Sequence, residues 1–167
     1  NHQWRAHGSQ PGYGVKQSSQ FLISKSTDDG LTWSEPRNIT RQVKKEKWWL
    51  LAPGPGRGIT MEDGTLVFPV EGRNEDGLQF STIMWSKDKG ENWTVGEPAY
   101  YNTNECQVVE LSDHSLMLNM RERSNRGRQE GNGRAIAVTA DLGKTWTEHP
   151  TSRRALIEPA CQASLLR

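Results

Sequence analysis

Ser86-Lys87-Asp88-Lys89-Gly90-Glu91-Asn92-Trp93 is one of three copies of a single pattern. Ser26-Thr27-Asp28-Asp29-Gly30-Leu31-Thr32-Trp33 precedes it, and Thr139-Ala140-Asp141-Leu142-Gly143-Lys144-Thr145-Trp146 follows it. The shared form is Ser/Thr-x-Asp-x-Gly-x-Thr/Asn-Trp, with tryptophans 60 and then 53 residues apart. These residue types suit a hairpin turn. An Asp carboxylate accepts from backbone N–H groups, Gly takes a positive φ, and Trp folds back over the corner. Each copy follows an apolar run of strand character: Phe21-Leu22-Ile23, Ile83-Met84-Trp85 and Ala135-Ile136-Ala137-Val138. Asp28, Asp88 and Asp141, repeated identically at turns, therefore belong to the fold rather than to acid catalysis.

A second repeat lies between the boxes. Ile59-Thr60-Met61-Glu62-Asp63-Gly64-Thr65-Leu66-Val67-Phe68 parallels Val109-Glu110-Leu111-Ser112-Asp113-His114-Ser115-Leu116-Met117-Leu118 at an offset of 50, each reading strand, polar turn, strand. Two hairpins per unit make about four short strands in 50–60 residues, which is a propeller blade. Helical periodicity is nearly missing; Arg41 to Trp49 has room for one short turn but reads better as a basic loop. The expected class is all-β, a single domain over residues 1–167 with about three blades. Three blades do not close a ring, and an open arc exposes sheet edges. The chain, opening Asn1-His2-Gln3-Trp4, therefore reads as a piece of a larger propeller, incomplete at both ends.

Composition narrows the class. The 167 residues hold 33 % apolar residues and 16 glycines, enough to build a core. No apolar run reaches the ~18–20 residues of a membrane span. The net charge of +1 provides no global field toward nucleic acid. Cys106 and Cys161 allow at most one disulfide, and His2, His7, His114 and His149 lack ligand spacing, so neither a metal nor another cofactor is expected.

One hairpin carries chemistry. Glu105 stands seven residues before the turn at Ser112–Ser115, and Arg121 six after it. Antiparallel pairing brings a carboxylate and a guanidinium together at the hairpin's open end, roughly 20 Å from the turn at ~3.3 Å per residue. The 50-residue offset maps Glu105 onto Pro55 and Arg121 onto Glu71, so the repeat itself does not require this pair. Arg57 and Glu71 are further candidates for lining a pocket. Arg121, Arg123, Arg126, Arg128 and Arg134 read as a flexible basic loop beyond the hairpin. Cys106 reads as a small buried residue on an inner strand.

The three boxes resemble the Asp-box (BNR) repeats of the sialidase, or neuraminidase, family. Two further segments strengthen the likeness. Ala52-Pro53-Gly54-Pro55-Gly56-Arg57-Gly58-Ile59 resembles the Pro-Gly-rich opening of a sialidase inner strand. Asn104-Glu105-Cys106-Gln107-Val108-Val109-Glu110-Leu111 with Leu116-Met117-Leu118-Asn119-Met120-Arg121 resembles the family's catalytic hairpin. The resemblance implies a six-bladed propeller and a bacterial exo-α-sialidase that removes terminal sialic acid from glycans with retention. It also implies secretion, or a periplasmic or cell-surface location. Glu105 would activate a tyrosine nucleophile, an exception to the two-carboxylate rule of glycosidases. Arg121 would be one of three arginines clamping the substrate carboxylate. The tyrosine, the other two arginines and an aspartate acid would come from the remaining blades, and the isolated chain would be inactive. Tyr100 and Tyr101 match no nucleophile motif. A trans-sialidase, or a non-catalytic Asp-box propeller that binds glycans or proteins, would share the boxes; the Glu105/Arg121 hairpin argues against the latter.

Overall fold

The computed structural model describes residues 8–167 other than Arg126, Arg128, Gln129 and Pro159. His2, His7 and two arginines of the expected basic loop thus lie outside the described residues. In chain order the elements are β1 (Leu22–Ile23), β2 (Arg37–Asn38), a one-turn helix α1 (Thr40–Val43), β3 (Leu50–Pro53), β4 (Ile59–Thr60), β5 (Leu66–Arg73) and β6 (Gln79–Ser86). They continue with β7 (Thr94–Val95), β8 (Tyr100–Tyr101), β9 (Thr103–Glu110), β10 (Leu116–Glu122), a 3-10 turn at Arg123–Asn125, β11 (Ala135–Thr139) and β12 (Thr147–Glu148).

Two antiparallel meanders dominate. In one, β5 pairs with β6 from Leu66↔Ser86 to Arg73↔Gln79. β3 and β4 share the far side of β5, and β7 and β8 share the far side of β6, so four rows are built from six strands. The other runs β9-β10-β11-β12 in order. The first box follows β1, which pairs only with β2. The four-row unit is therefore seen twice among the described residues, and the first box stands on a two-stranded sheet.

The boxes fold alike. Asp28, Asp88 and Asp141 each accept from the backbone N–H four residues on, at 2.9, 2.8 and 2.9 Å. The Ser or Thr opening each box donates to the same carboxylate at 2.8 Å. Those bonds hold Asp88 and Asp141 down at about 2. The 50-residue offset is equally physical. Met61 N–H donates to the Thr65 carbonyl and Leu111 N–H to the Ser115 carbonyl, both at 2.8 Å. His114 adopts the positive φ of 64° that Gly64 adopts at 86°.

Alternation explains the layers. Phe80 and Met84 of β6 join Phe21, Ile39, Val43, Trp48, Leu51, Val70 and Trp93 in one cluster. Ile83, on the opposite face of β6, joins Val67, Cys106, Val108, Leu116, Leu118 and Met120 in another. The β5–β6 sheet is thus buried on both faces. The stretch expected to be a basic loop is pinned from beneath: Ile39 and Val43, four apart, are fully buried, and Asn38 Oδ1 accepts from Thr40 N–H at 3.0 Å. One helical turn forms there because it alone places both apolar side chains on one face.

Candidate functional site

The hairpin of Glu105 and Arg121 closes as its register demands, with one irregularity. Met120 faces Cys106 and Glu122 faces Thr103, so Asn104 and Glu105 together stand opposite Arg121. This is a β-bulge, a device that re-aims a side chain at the end of a ladder. Glu105 Oε2 and Arg121 Nη1 meet at 3.0 Å, both side chains about three-quarters buried at 29 and 23 % exposure. Arg121 Nε is buried without a partner among the described residues.

The Pro-Gly-rich segment lets the neighbouring backbone close on β9. A Cβ on Gly54 would sit 2.9 Å from the Cys106 carbonyl and 3.2 Å from that of Pro69, so only glycine fits without displacing main chain. Gln107 Nε2 donates to the Pro55 carbonyl across the same contact. Through this approach β5 presents Glu71 to the pair. Oε2 of the Glu71 carboxyl is buried without a partner among the described residues. Burial, then the charge of Glu105, push its pKa up to about 7, against the pull of Arg121. Glu71, Glu105 and Arg121, from three strands of two sheets, therefore form one site. Arg57 is exposed between β3 and β4 and lines a cleft with Thr60, Glu62 and Glu110.

Arg134 departs from the expected solvated loop. It is 3 % exposed. Its Nε donates to Asn119 Oδ1, Nη1 to the Cys161 carbonyl at 3.0 Å and Nη2 to the Glu105 carbonyl at 3.4 Å. The reason is positional: Arg134 adjoins β11, whose pairing with β10 carries the residue under the hairpin instead of into the loop. Glu158, 2 % exposed, joins it from the C-terminal segment. Its Oε2 accepts from Glu122 N–H at 2.6 Å and Asn125 Nδ2 at 3.5 Å. Burial raises its pKa, while the charges of Arg134 and Arg121 oppose the rise. The sequence signal for Arg134 was slight, a charged residue abutting Ala135-Ile136-Ala137-Val138, and Glu158 had none.

The remaining candidates fall into place as scaffold. Cys106 is fully buried, and burial pushes its thiol far above the usual range, so it is inert as a nucleophile. Cys161 is exposed and also free. Tyr100 lies under the Arg153 guanidinium, 4.7 Å from Cζ to ring centre, on the outer row of the first meander. No group of three His, Cys, Asp or Glu residues able to hold a metal is found among the described residues. No helix among them is long and apolar enough to cross a membrane.

A bulged strand thus offers a permanently charged, forked cation beside one carboxylate, with a second carboxyl whose pKa burial raises. Such a site can bind an anionic oxygen group and, next to it, move a proton. The BNR repeat-like domain family matches residues 2–167. A sialidase of Bacteroides fragilis is 52 % identical over 163 residues, covering 98 % of this chain and 28 % of that protein. A sialidase of Clostridium perfringens is 36 % identical over 132 residues, covering 72 % of this chain and 32 % of that protein. Among solved structures, the Hadza microbial sialidase Hz136 aligns with a TM-score of 0.87 at 47 % identity, over 95 % of this chain and 30 % of that one. Trypanosoma rangeli sialidase in complex with sialic acid aligns with a TM-score of 0.60 at 27 % identity, over 77 % of this chain and 21 % of that one. The chain spans less than a third of the length of each of these relatives. The chain belongs to the BNR repeat-like domain family, among the sialidases.

Proposed function

From that membership we propose that this chain supplies part of the active site of an exo-α-sialidase, a glycoside hydrolase that releases terminal sialic acid from glycoconjugates. The observation that carries the reading is the 3.0 Å Glu105–Arg121 pair at the bulged end of β9 and β10. Sialic acid bears a carboxylate on its anomeric carbon, so a carboxylate nucleophile would meet like charge. A tyrosine hydroxyl avoids the repulsion, and retention follows from its covalent intermediate. A phenol with a pKa near 10 needs a base, and Glu105 takes that role, accepting the phenolic proton as the oxygen attacks. Arg121 binds the substrate carboxylate through a planar fork that stays charged.

The tyrosine, two further arginines and an acid aspartate come in this reading from other blades of a six-bladed propeller, in a protein that acts outside the bacterial cytoplasm. The chain by itself is then inactive. The test is turnover of a fluorogenic sialoside by the full-length protein, its Glu105→Gln variant and this chain alone. Glu105→Gln lowers kcat by 100-fold or more, on the order expected for loss of a general base, with KM little changed. Wild-type kinetics in that variant, or enzyme-like turnover by the isolated chain, would overturn the assignment.

A further inference from the structure

Glu71 is placed unlike an ordinary pocket-lining acid. It reaches the site from the neighbouring sheet, on β5. Oε2 is buried with no partner among the described residues, so the carboxyl has room for a proton and no donor to stabilise a full charge there. The titratable and charged groups facing it are Glu105 and Cys106 of β9 and Arg121 of β10. The β3 strand on its other side, Leu50–Pro53, contributes none, and its partner across β6 is Ser81. Two carboxyls thus share one guanidinium, and both cannot ionise without cost.

We propose that Glu71 is a positioning residue that gates the site by protonation: neutral, it leaves Arg121 balanced by Glu105 alone and open to a substrate carboxylate; ionised, it competes for Arg121 and repels that anion. The step needs only a proton exchanged with solvent, with no covalent change. It rests on the sialidase reading above, because it concerns that reading's anionic substrate. The upward displacement of Glu71 to about 7 puts the change within the neutral range.

The experiment is the pH dependence of sialoside hydrolysis by the full-length protein and its Glu71→Gln variant, with carbon-13 NMR of the Glu71 carboxyl as a second readout. The amide keeps the size of the carboxyl and cannot ionise. Wild-type kcat/KM is expected to fall about tenfold by one pH unit above the transition, through a rise in KM with kcat nearly constant. In Glu71→Gln the fall between pH 6 and 8 disappears. A purely structural residue would change activity equally at every pH and leave the alkaline limb in place. An unmoved limb in Glu71→Gln, or a carboxyl titrating in the ordinary glutamate range, overturns the inference. Absence of hydrolysis at every pH in the wild type overturns instead the reading on which it rests.

Discussion

Truncating the tryptophan of a box should cost what its burial dictates, and two of the boxes offer an internal comparison. Trp93 is 4 % exposed, sits edge-on to Phe68 with ring centres 5.6 Å apart, and donates from Nε1 to the Gly90 carbonyl at 3.0 Å. Trp33 makes the same bond to Gly30 at 3.1 Å but is 64 % exposed. The shared hydrogen bond cancels in the comparison. In Trp93→Ala the Gly90 carbonyl also keeps Arg37 as a donor, so no buried acceptor is orphaned. What remains is loss of apolar contact and a cavity, about 3–5 kcal/mol for a buried Trp→Ala change. Trp33→Ala, largely in solvent, should cost under about 1 kcal/mol. For a chain of this length 1 kcal/mol moves Tm by roughly 2–4 °C, so Trp93→Ala should lower it by about 6–20 °C and Trp33→Ala by a few degrees at most. Differential scanning calorimetry of the three proteins, with urea titration for ΔΔG, measures both. Equal losses would refute the reasoning, because they would place the stabilisation in the turn and not in the packed ring.

Other expectations follow from the same geometry. In the full-length protein, Arg121→Ala should lower kcat/KM for a sialoside by about 2–4 kcal/mol, roughly 30- to 1,000-fold, mostly through KM; an unchanged KM would remove Arg121 from substrate binding. Arg134→Met, which deletes three hydrogen bonds and leaves Glu158 buried with less compensating charge, should destabilise this chain by about 2–4 kcal/mol in urea. A midpoint within error of wild type would show those bonds to be energetically idle. Asp88 and Asp141 have pKa values lowered to about 2 by their box hydrogen bonds, so their stabilisation is present above the unfolded carboxylate range and is lost as pH falls from about 4 toward 2. Asp88→Asn should therefore flatten the acid side of the stability profile, and an identical acid limb in variant and wild type would contradict the sign.

Much of this protein was legible in its residues because the informative features are local. A box turn is satisfied within eight residues, so Asp28, Asp88 and Asp141 could be assigned to the fold with no knowledge of their neighbours. Strand alternation likewise placed Glu105 and Arg121 on paired strands, since register over a short hairpin follows from the turn. The α1 turn was less visible, because Ile39 and Val43 are held by burial against other strands and not by local propensity. Arg134 was misjudged for the same kind of reason. Its composition is that of its loop, yet its surroundings are Asn119, Cys161 and Glu105, the last two 27 and 29 residues away.

The sequence by itself determined the all-β class, the repeated turns and the Glu105–Arg121 hairpin, because each depends on bonds between residues close in the chain. The tertiary structure decided how Glu71, a candidate in the sequence, meets the pair from a second sheet, and it alone decided that Arg134 and Glu158 lie buried beneath the site. Those facts depend on how one sheet packs against the next. Burial and the charges it brings together set the ionisation of Glu71, and neither is encoded in any single segment.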